Sequence, residues 1–408
     1  MDGADILDSR YSWFRLGVTF LISSIGSVGI WSFIAILPAV QAEFGADRGD
    51  ASLPYVASML GFAAGNVLMG RVVDRWGAAA TMAGSALLLS AGYAAAATAP
   101  SLWSLTALHL VVGFGAAAGF GPMIADVSHW FMRRRGVAVT VAASGNYVAG
   151  AFWPWALSGL LAEDGWRTVY FALAAIVALI VLPLTLLLRR RPPEEAMAAA
   201  AVKASAAVMT AGLSPRTLQW LLMFAGVACC VAMSMPQVHI VAYCVDLGYG
   251  PAVGTEMLSL MLLGGVGSRL LSGLLADWLG GVKTLLIGSA LQGLALILYL
   301  PWDGLVPLYV ISTIFGLSQG GIVPAYAIIV REYMPPAEAG RRVGVVLMAT
   351  VVGMALGGWM SGWIYDLTGS YAMAFLNGVA WNALNLVVIL TLLFRSRPRR
   401  DAPVAAAA

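Results

Sequence analysis

Charge is what this chain has least of. Only 11% of its 408 residues are Asp, Glu, Lys or Arg, where a soluble domain carries about 25%. Histidine and cysteine are equally sparse, with three of each. His109, His129 and His239 are scattered along the chain, so the clustered ligands of a membrane oxidase or desaturase are missing and no metal is expected. Cys229, Cys230 and Cys244 fall in one apolar segment, two of them adjacent, which implies neither a disulfide framework nor a metal site. The net charge of +3 is too small to imply nucleic acid or another polyanion as partner. There is no P-loop, because Gly280-Gly281-Val282-Lys283-Thr284 lacks the leading glycine at the required spacing. Gly113-Phe114-Gly115 lies inside an apolar run, not after a strand, which excludes a dinucleotide site there. No cofactor, no catalytic residue and no enzyme activity are expected. Met1 to Arg10 carries Asp2, Asp5 and Asp8 instead of a basic n-region, so the first apolar run reads as a retained helix rather than a secretory signal.

Apolar residues are what the chain has in excess: 60% are hydrophobic and the mean hydropathy is +0.85. So much apolar surface must face another apolar phase. A bilayer core takes about 20 apolar residues per helix, and twelve runs qualify: 13–39, 51–70, 78–98, 101–128, 137–161, 168–188, 217–244, 252–276, 283–301, 304–330, 343–365 and 372–394. Barrel strands would be about half as long and would alternate in polarity. The pattern therefore predicts an all-α membrane protein of twelve transmembrane helices. Two six-helix bundles, 1–188 and 217–408, the second with a short basic tail, are joined by a polar linker over 189–216 that begins Arg189-Arg190-Arg191-Pro192-Pro193-Glu194-Glu195. Of the basic residues, only Arg48 and Arg167 fall in loops that follow odd-numbered spans, and Arg269 lies inside a span. By the positive-inside rule the remainder mark the cytoplasmic side, with both termini and the linker. A multi-pass protein of the plasma (bacterial inner) membrane, acting as a monomer in the lipid bilayer, is the expectation.

The halves echo one another. Gly70-Arg71-Val72-Val73-Asp74-Arg75-Trp76-Gly77 after the second span matches Gly273-Leu274-Leu275-Ala276-Asp277-Trp278-Leu279-Gly280 after the eighth. Gly165-Trp166-Arg167 before the sixth span has a counterpart in Gly369-Ser370-Tyr371 before the twelfth. Two similar bundles that rock about a site between them are a transporter design. The G-x-x-x-D-R-x-G loop, twelve spans, a basic central loop and G-W-R before the sixth span resemble the major facilitator superfamily over essentially the whole chain. Trp130-Phe131-Met132-Arg133-Arg134-Arg135-Gly136-Val137-Ala138, with Gly145 and Gly150 beyond it, is similar to the fifth-helix motif of monocarboxylate transporters. His239-Ile240-Val241-Ala242-Tyr243 and Asp246-Leu247-Gly248 resemble the end of helix 7 in that branch and in the oxalate–formate antiporters. The resemblance places Arg269 at their substrate-binding arginine. It departs from them in having Gly265 where an acid usually stands, no cation over 16–40, and no charge over 343–365.

Arg269 lies eight residues before Asp277, so it sits roughly 12 Å into the membrane. A cation there costs about 2.5–3.5 kcal/mol even on the lenient insertion scale. Gly265, Val266, Ser272 and Gly273 offer it no carboxylate on its own helix. A guanidinium so placed is an anion trap whose fork matches a carboxylate, and a single cation suits a substrate with one carboxylate. Asn146, Tyr147, Gln319, Tyr326, Ser27, Trp31 and Asn66 are the polar and aromatic candidates to line the same site, set against the alternative that they join helices. His239 is the candidate for proton coupling or gating. Asp74, Arg75 and Asp277 read as braces that hold one conformation. The expected activity is proton-coupled carriage of a small monocarboxylate by alternating access, the proton coming from the resemblance alone. Organic-anion exchange and drug or metabolite export are the alternatives in the same superfamily. A receptor that senses a carboxylate without moving it is the alternative from another class, against which no appended signalling domain is expected here.

Overall fold

A computed structural model describes residues 7–131, 134–190, 213–334 and 336–395. Most of the expected linker, and the side chains of Asp74 and Asp277, lie outside the described residues. Among the described residues twelve helices follow one another: α1 (Arg10–Phe44), α2 (Arg48–Val73), α3 (Ala78–Ala97), α4 (Leu102–Ile124), α5 (Arg135–Ala156), α6 (Ser158–Leu188), α7 (Pro215–Asp246), α8 (Gly250–Ala276), α9 (Gly281–Leu298), α10 (Leu305–Val330), α11 (Arg342–Thr368) and α12 (Tyr371–Arg395). Eleven are both long and apolar enough to cross a membrane. The twelfth, α5, has the length but is diluted by Asn146, Tyr147, Trp153, Pro154 and Trp155. No strand occurs among the described residues. An even number of crossings puts Arg10 and Arg395 on one face, here the terminal face; the other is the distal face.

The sequence repeat is a repeat of backbone. Gly77 (φ 86°) and Gly280 (φ 81°) close the motif loops after α2 and α8 in the same left-handed-side conformation, and Gly165 (φ 79°) and Gly369 (φ 67°) do so before the sixth and twelfth spans. Only glycine adopts such φ values without strain. The packing repeats as well. A Cβ on Gly113 would lie 1.9 Å from the Ser58 carbonyl oxygen, and one on Gly316 2.2 Å from that of Met261. Both the glycines and their partners are 203 residues apart. The α2–α4 contact of the first bundle is thus rebuilt as α8–α10 in the second, with backbone against backbone, as small residues permit in membranes. The bundles meet along α5 with α8, α2 with α11, and the second segment of α1 with α7.

On the terminal face the first bundle is tied by a pair that loop counting hides. Arg15 counts with the basic loop residues in sequence, yet it is 1% exposed. Its Nε and Nη2 donate to Asp126 Oδ2 at 3.0 and 2.7 Å, and its Nη1 donates to the Leu188 and Arg190 carbonyls at 3.2 Å. The guanidinium also lies 4.6 Å from the Trp130 ring, which gives the aromatic residue of the fifth-helix motif a packing role. In the second bundle the Glu332 carboxylate accepts from the Gly281 N–H at 3.0 Å and caps α9. Burial raises the pKa of Glu332, and that backbone bond works against the rise.

Two stability outcomes follow from these contacts, both read by denaturant titration in mixed micelles. Asp126→Ala strands a buried cation and should cost about 3–5 kcal/mol. Gly113→Val and Gly316→Val must force backbones apart and should each cost at least about 3 kcal/mol, whereas Gly84→Ala, which meets no atom within 4 Å, should stay within about 1 kcal/mol.

Candidate functional site

Five helices, α1, α5, α7, α8 and α10, bring side chains together where the two bundles meet. Arg269 of α8 is 6% exposed. Its Nη1 donates to the Ala143 carbonyl of α5 at 2.7 Å and its Nε to the Gly320 carbonyl of α10 at 3.2 Å. Gly320 follows the last residue of the helical segment Leu305–Gln319, where the chain breaks before resuming at Ile322, so its carbonyl is free to accept a side-chain bond. The guanidinium carbon stands 4.1 Å from the centre of the Tyr147 ring, a cation–π contact. No carboxylate pairs with Arg269 among the described residues. Gly265, the position where an acid was looked for, carries no side chain for a steric reason: a Cβ there would be 2.9 Å from the Tyr147 ring. The aromatic face has taken the acid's place beside the cation.

Around this centre, Trp31 of α1 donates its Nε1–H to Asn146 Oδ1 at 2.7 Å and meets Tyr147 edge to face at 6.1 Å. Gly150 lets α5 approach α8, since a Cβ there would lie 2.4 Å from Leu262 and 2.7 Å from Trp31. Ser27 marks the joint between the two segments of α1. Its hydroxyl is buried without a partner among the described residues, as are those of Ser23 and Thr19, one and two turns earlier. Ser23 packs on Gly145, where a Cβ would come within 2.8 Å of it, so this hydroxyl stripe runs alongside the α5 residue that precedes Asn146.

Gln319 shares a hydrogen bond with Gln237 of α7, a residue absent from the sequence candidates. Each leaves one buried amide atom without a partner among the described residues, Gln237 Oε1 and Gln319 Nε2. Such an atom typically costs about 1–3 kcal/mol. A glutamine next to Pro236 in an apolar run is the signal that could have found Gln237.

Two candidates sit elsewhere. Asn66 donates to the Phe62 carbonyl at 2.9 Å and accepts from the Gly121 N–H at 3.1 Å, bracing α2 against the end of α4. Tyr326 donates to Asn385 Oδ1 at 2.9 Å, and Asn385 in turn bonds Ser289 at 2.9 Å, inside the second bundle. Both hold helices together and neither reaches Arg269. Arg75 is exposed and enters no ion pair among the described residues.

His239 belongs to a different assembly, at the distal face. Arg48, at the start of α2, donates from Nη1 and Nη2 to Asp246 at 3.2 and 3.1 Å and from Nη1 to the Tyr371 hydroxyl at 2.8 Å. The backbone N–H groups of Arg48 and Gly49 donate to Asp366 at 2.8 and 2.6 Å. The Tyr371 hydroxyl lies 3.0 Å from His239 Nδ1, and His239 Nε2 lies 2.7 Å from the Gly358 carbonyl. One residue of the first bundle is thereby held by three helices of the second. Gly362 permits the approach, because a Cβ on it would come within 2.7 Å of the Arg48 carbonyl. This latch shuts the distal face.

Two duplicated six-helix bundles with a buried cation on the seam define a membrane transporter rather than an enzyme. The chain belongs to the Major Facilitator Superfamily, whose family profile matches residues 19–305 and 257–408. Among curated relatives, it is 27% identical over 388 residues to monocarboxylate transporter 11 of Homo sapiens, covering 90% of this chain and 80% of that protein. It is 24% identical over 394 residues to monocarboxylate transporter 13 of Rattus norvegicus, covering 94% and 90%. Within the superfamily it resembles the monocarboxylate branch. Of solved structures, a bacterial homologue of the human lysosomal transporter Spinster, in its inward-facing and occupied conformation, superposes with a TM-score of 0.72 at 15% identity over 94% of this chain and 97% of that one. A peptide transporter in complex with alafosfalin gives 0.71 at 15% identity over 94% and 95%. At that identity the likeness is one of fold.

Because Asp366 holds two backbone N–H groups, Asp366→Ala should speed amide exchange of residues 48 and 49 by about tenfold or more, the equivalent of one charge-assisted bond. Hydrogen-exchange mass spectrometry of a peptide covering that turn measures it.

Proposed function

We propose that this transporter carries a small monocarboxylate, taken up with a proton, by alternating access of its two bundles. The observation that supports this reading is Arg269: a buried guanidinium on the seam between the bundles, bonded to carbonyls of both and to no acid among the described residues. A carboxylate is a stronger acceptor for a guanidinium than a neutral carbonyl is. An arriving anion therefore competes with the Ala143 carbonyl for Nη1, and in winning it removes a bond that joins α8 to α5. Binding and release of the seam become one event, and the neutralised pair is less costly to enclose than the bare cation.

Trp31 and Tyr147 offer aromatic faces for the apolar body of the substrate, and Asn146 fixes the Trp31 ring. The α1 hydroxyls up to Ser27 and the amides of Gln237 and Gln319 are neutral donors and acceptors for an additional hydroxyl or keto oxygen. A site with one cation suits one carboxylate better than two. In this reading residues 1–188 and 217–408 are the moving halves, 189–216 connects them, and the terminal face is cytoplasmic in a bacterial plasma membrane. Asp74, Arg75 and Asp277 brace that face in the opposite, outward-open state. A monomer suffices, because the site is complete within one chain. The names of the monocarboxylate relatives favour the same substrate class.

The test is uptake of labelled lactate, pyruvate, acetate and oxalate into proteoliposomes, with and without an inward proton gradient. Lactate or pyruvate uptake should exceed that of oxalate and rise with the gradient. Arg269→Gln should lower uptake by at least about 100-fold, as expected for a lost charge-assisted bidentate contact of roughly 3 kcal/mol, with unfolding unchanged. Uptake at the wild-type rate in that variant removes Arg269 from the site. Uptake that needs internal anion and ignores the gradient makes the protein an exchanger.

A further inference from the structure

The central site leaves the His239 network unused, and the polarity of that network is fixed by its ends. The Gly358 carbonyl only accepts, so the ring proton of His239 is on Nε2, 2.7 Å away. Nδ1 must then accept from the Tyr371 hydroxyl at 3.0 Å. That oxygen in turn accepts from Arg48 Nη1 at 2.8 Å. One directed chain of donors therefore runs from the first bundle, through α12 and α7, to the backbone of α11, and it requires a neutral imidazole.

The charged and titratable groups around the ring are Arg48 from α2, Asp246 and Tyr243 from α7, Tyr365 and Asp366 from α11, and Tyr371 from α12. Tyr365 and Tyr243 stand against the Tyr371 ring at 4.6 and 5.4 Å. Asp246 is taken up by the Arg48 side chain and Asp366 by the backbone of the same turn. No carboxylate bonds the imidazole among the described residues. A second ring proton, on Nδ1, would point at the Tyr371 oxygen. That hydroxyl would have to rotate, give up its bond to the ring, and accept from two cations at once.

We propose that His239 is a proton-binding site that sets the distal latch. When the bundles part on that face, water from the distal side delivers a proton to Nδ1. The Tyr371 O–H to Nδ1 bond is replaced by an N–H donated to water, and the latch cannot re-form until the proton leaves. A hydrated imidazole takes up its proton at about pH 6.5, and the open form binds it more tightly than the latched form does. Above that pH the latch keeps its full strength, and below it each unit of acidification favours the open form by up to about tenfold. The proposal deepens the carrier reading, on which it rests only for the direction from which protons arrive.

Spin labels on Glu163→Cys and Asp303→Cys, exposed distal positions in opposite bundles, report the latch by double electron–electron resonance in lipid nanodiscs without substrate. The three native cysteines are fully buried. Between about pH 8 and about pH 5.5 the long-distance population should rise at least about fivefold, with the rise setting in near 6.5. His239→Gln, whose amide can donate to Gly358 and accept from Tyr371, should hold the short distance throughout. His109→Gln and His129→Gln should respond as the unmodified protein does. An unchanging distance, a response that survives His239→Gln, or a rise that sets in only near pH 4, where carboxylates titrate, overturns the proposal. The pH at which the rise begins in the unmodified protein decides the matter even if a variant misfolds. With no carboxylate present, a negative result here leaves Arg269 untouched, and failed carboxylate uptake leaves this result standing.

Discussion

Hydrocarbon offers nothing to a charge or to a backbone N–H, so whatever polar group the chain carries into the membrane must be met by the chain itself. Three of the buried arginines show three ways of meeting that demand. Arg15 is answered by an acid, two carbonyls and an indole face, all within the first bundle and its terminal-face end. Arg48 is answered by an acid of the other bundle, across the distal seam. Arg269 has carbonyls and a tyrosine ring and no acid among the described residues. Enough donors are engaged to keep it buried, and its charge is left uncompensated. That difference separates an arginine closed within one bundle, one paired across the distal seam, and one on the seam with no acid among the described residues.

The same demand explains how far the sequence could be read. Span count, duplication and the depth of Arg269 depend on runs, spacing and one conspicuous charge, all local in the chain. The repeat went further than its motifs suggested, into glycine contacts such as Gly113 on Ser58 and Gly316 on Met261. Rotation about each helix axis was not legible. In helices apolar on every side no polar stripe tells which face looks to the centre, so Asn66 and Tyr326 could not be told apart from Asn146 and Tyr147 until their partners were seen. Arg15 escaped notice because its acid is 111 residues away, beyond a break in α4 that carries Asp126 inward. Gln237 and the Arg48 latch escaped for the same reason: each is assembled from residues far apart in the chain, and the latch draws on four helices.

Two bonds between the bundles matter for the cycle, and they lie at different depths. Arg269 to Ala143 holds the seam at the middle of the membrane, and Arg48 to Asp246, Tyr371 and Asp366 holds it at the distal rim. For the bundles to rock and open distally, both must yield. The rim is the stronger of the two in number of bonds, and its carboxylates are exposed to water, so it can be loosened from outside without disturbing the centre. The central bond is buried in the seam, where an entering anion would meet it. A carrier must not open both ways at once, and in the proposed cycle the two locks answer to different things: one to the protonation of a histidine behind the rim, the other to an anion at the core. Coupling between proton and substrate then needs no shared residue. It needs only that α7 and α8, which carry His239 and Arg269 and pack against each other, move as one body.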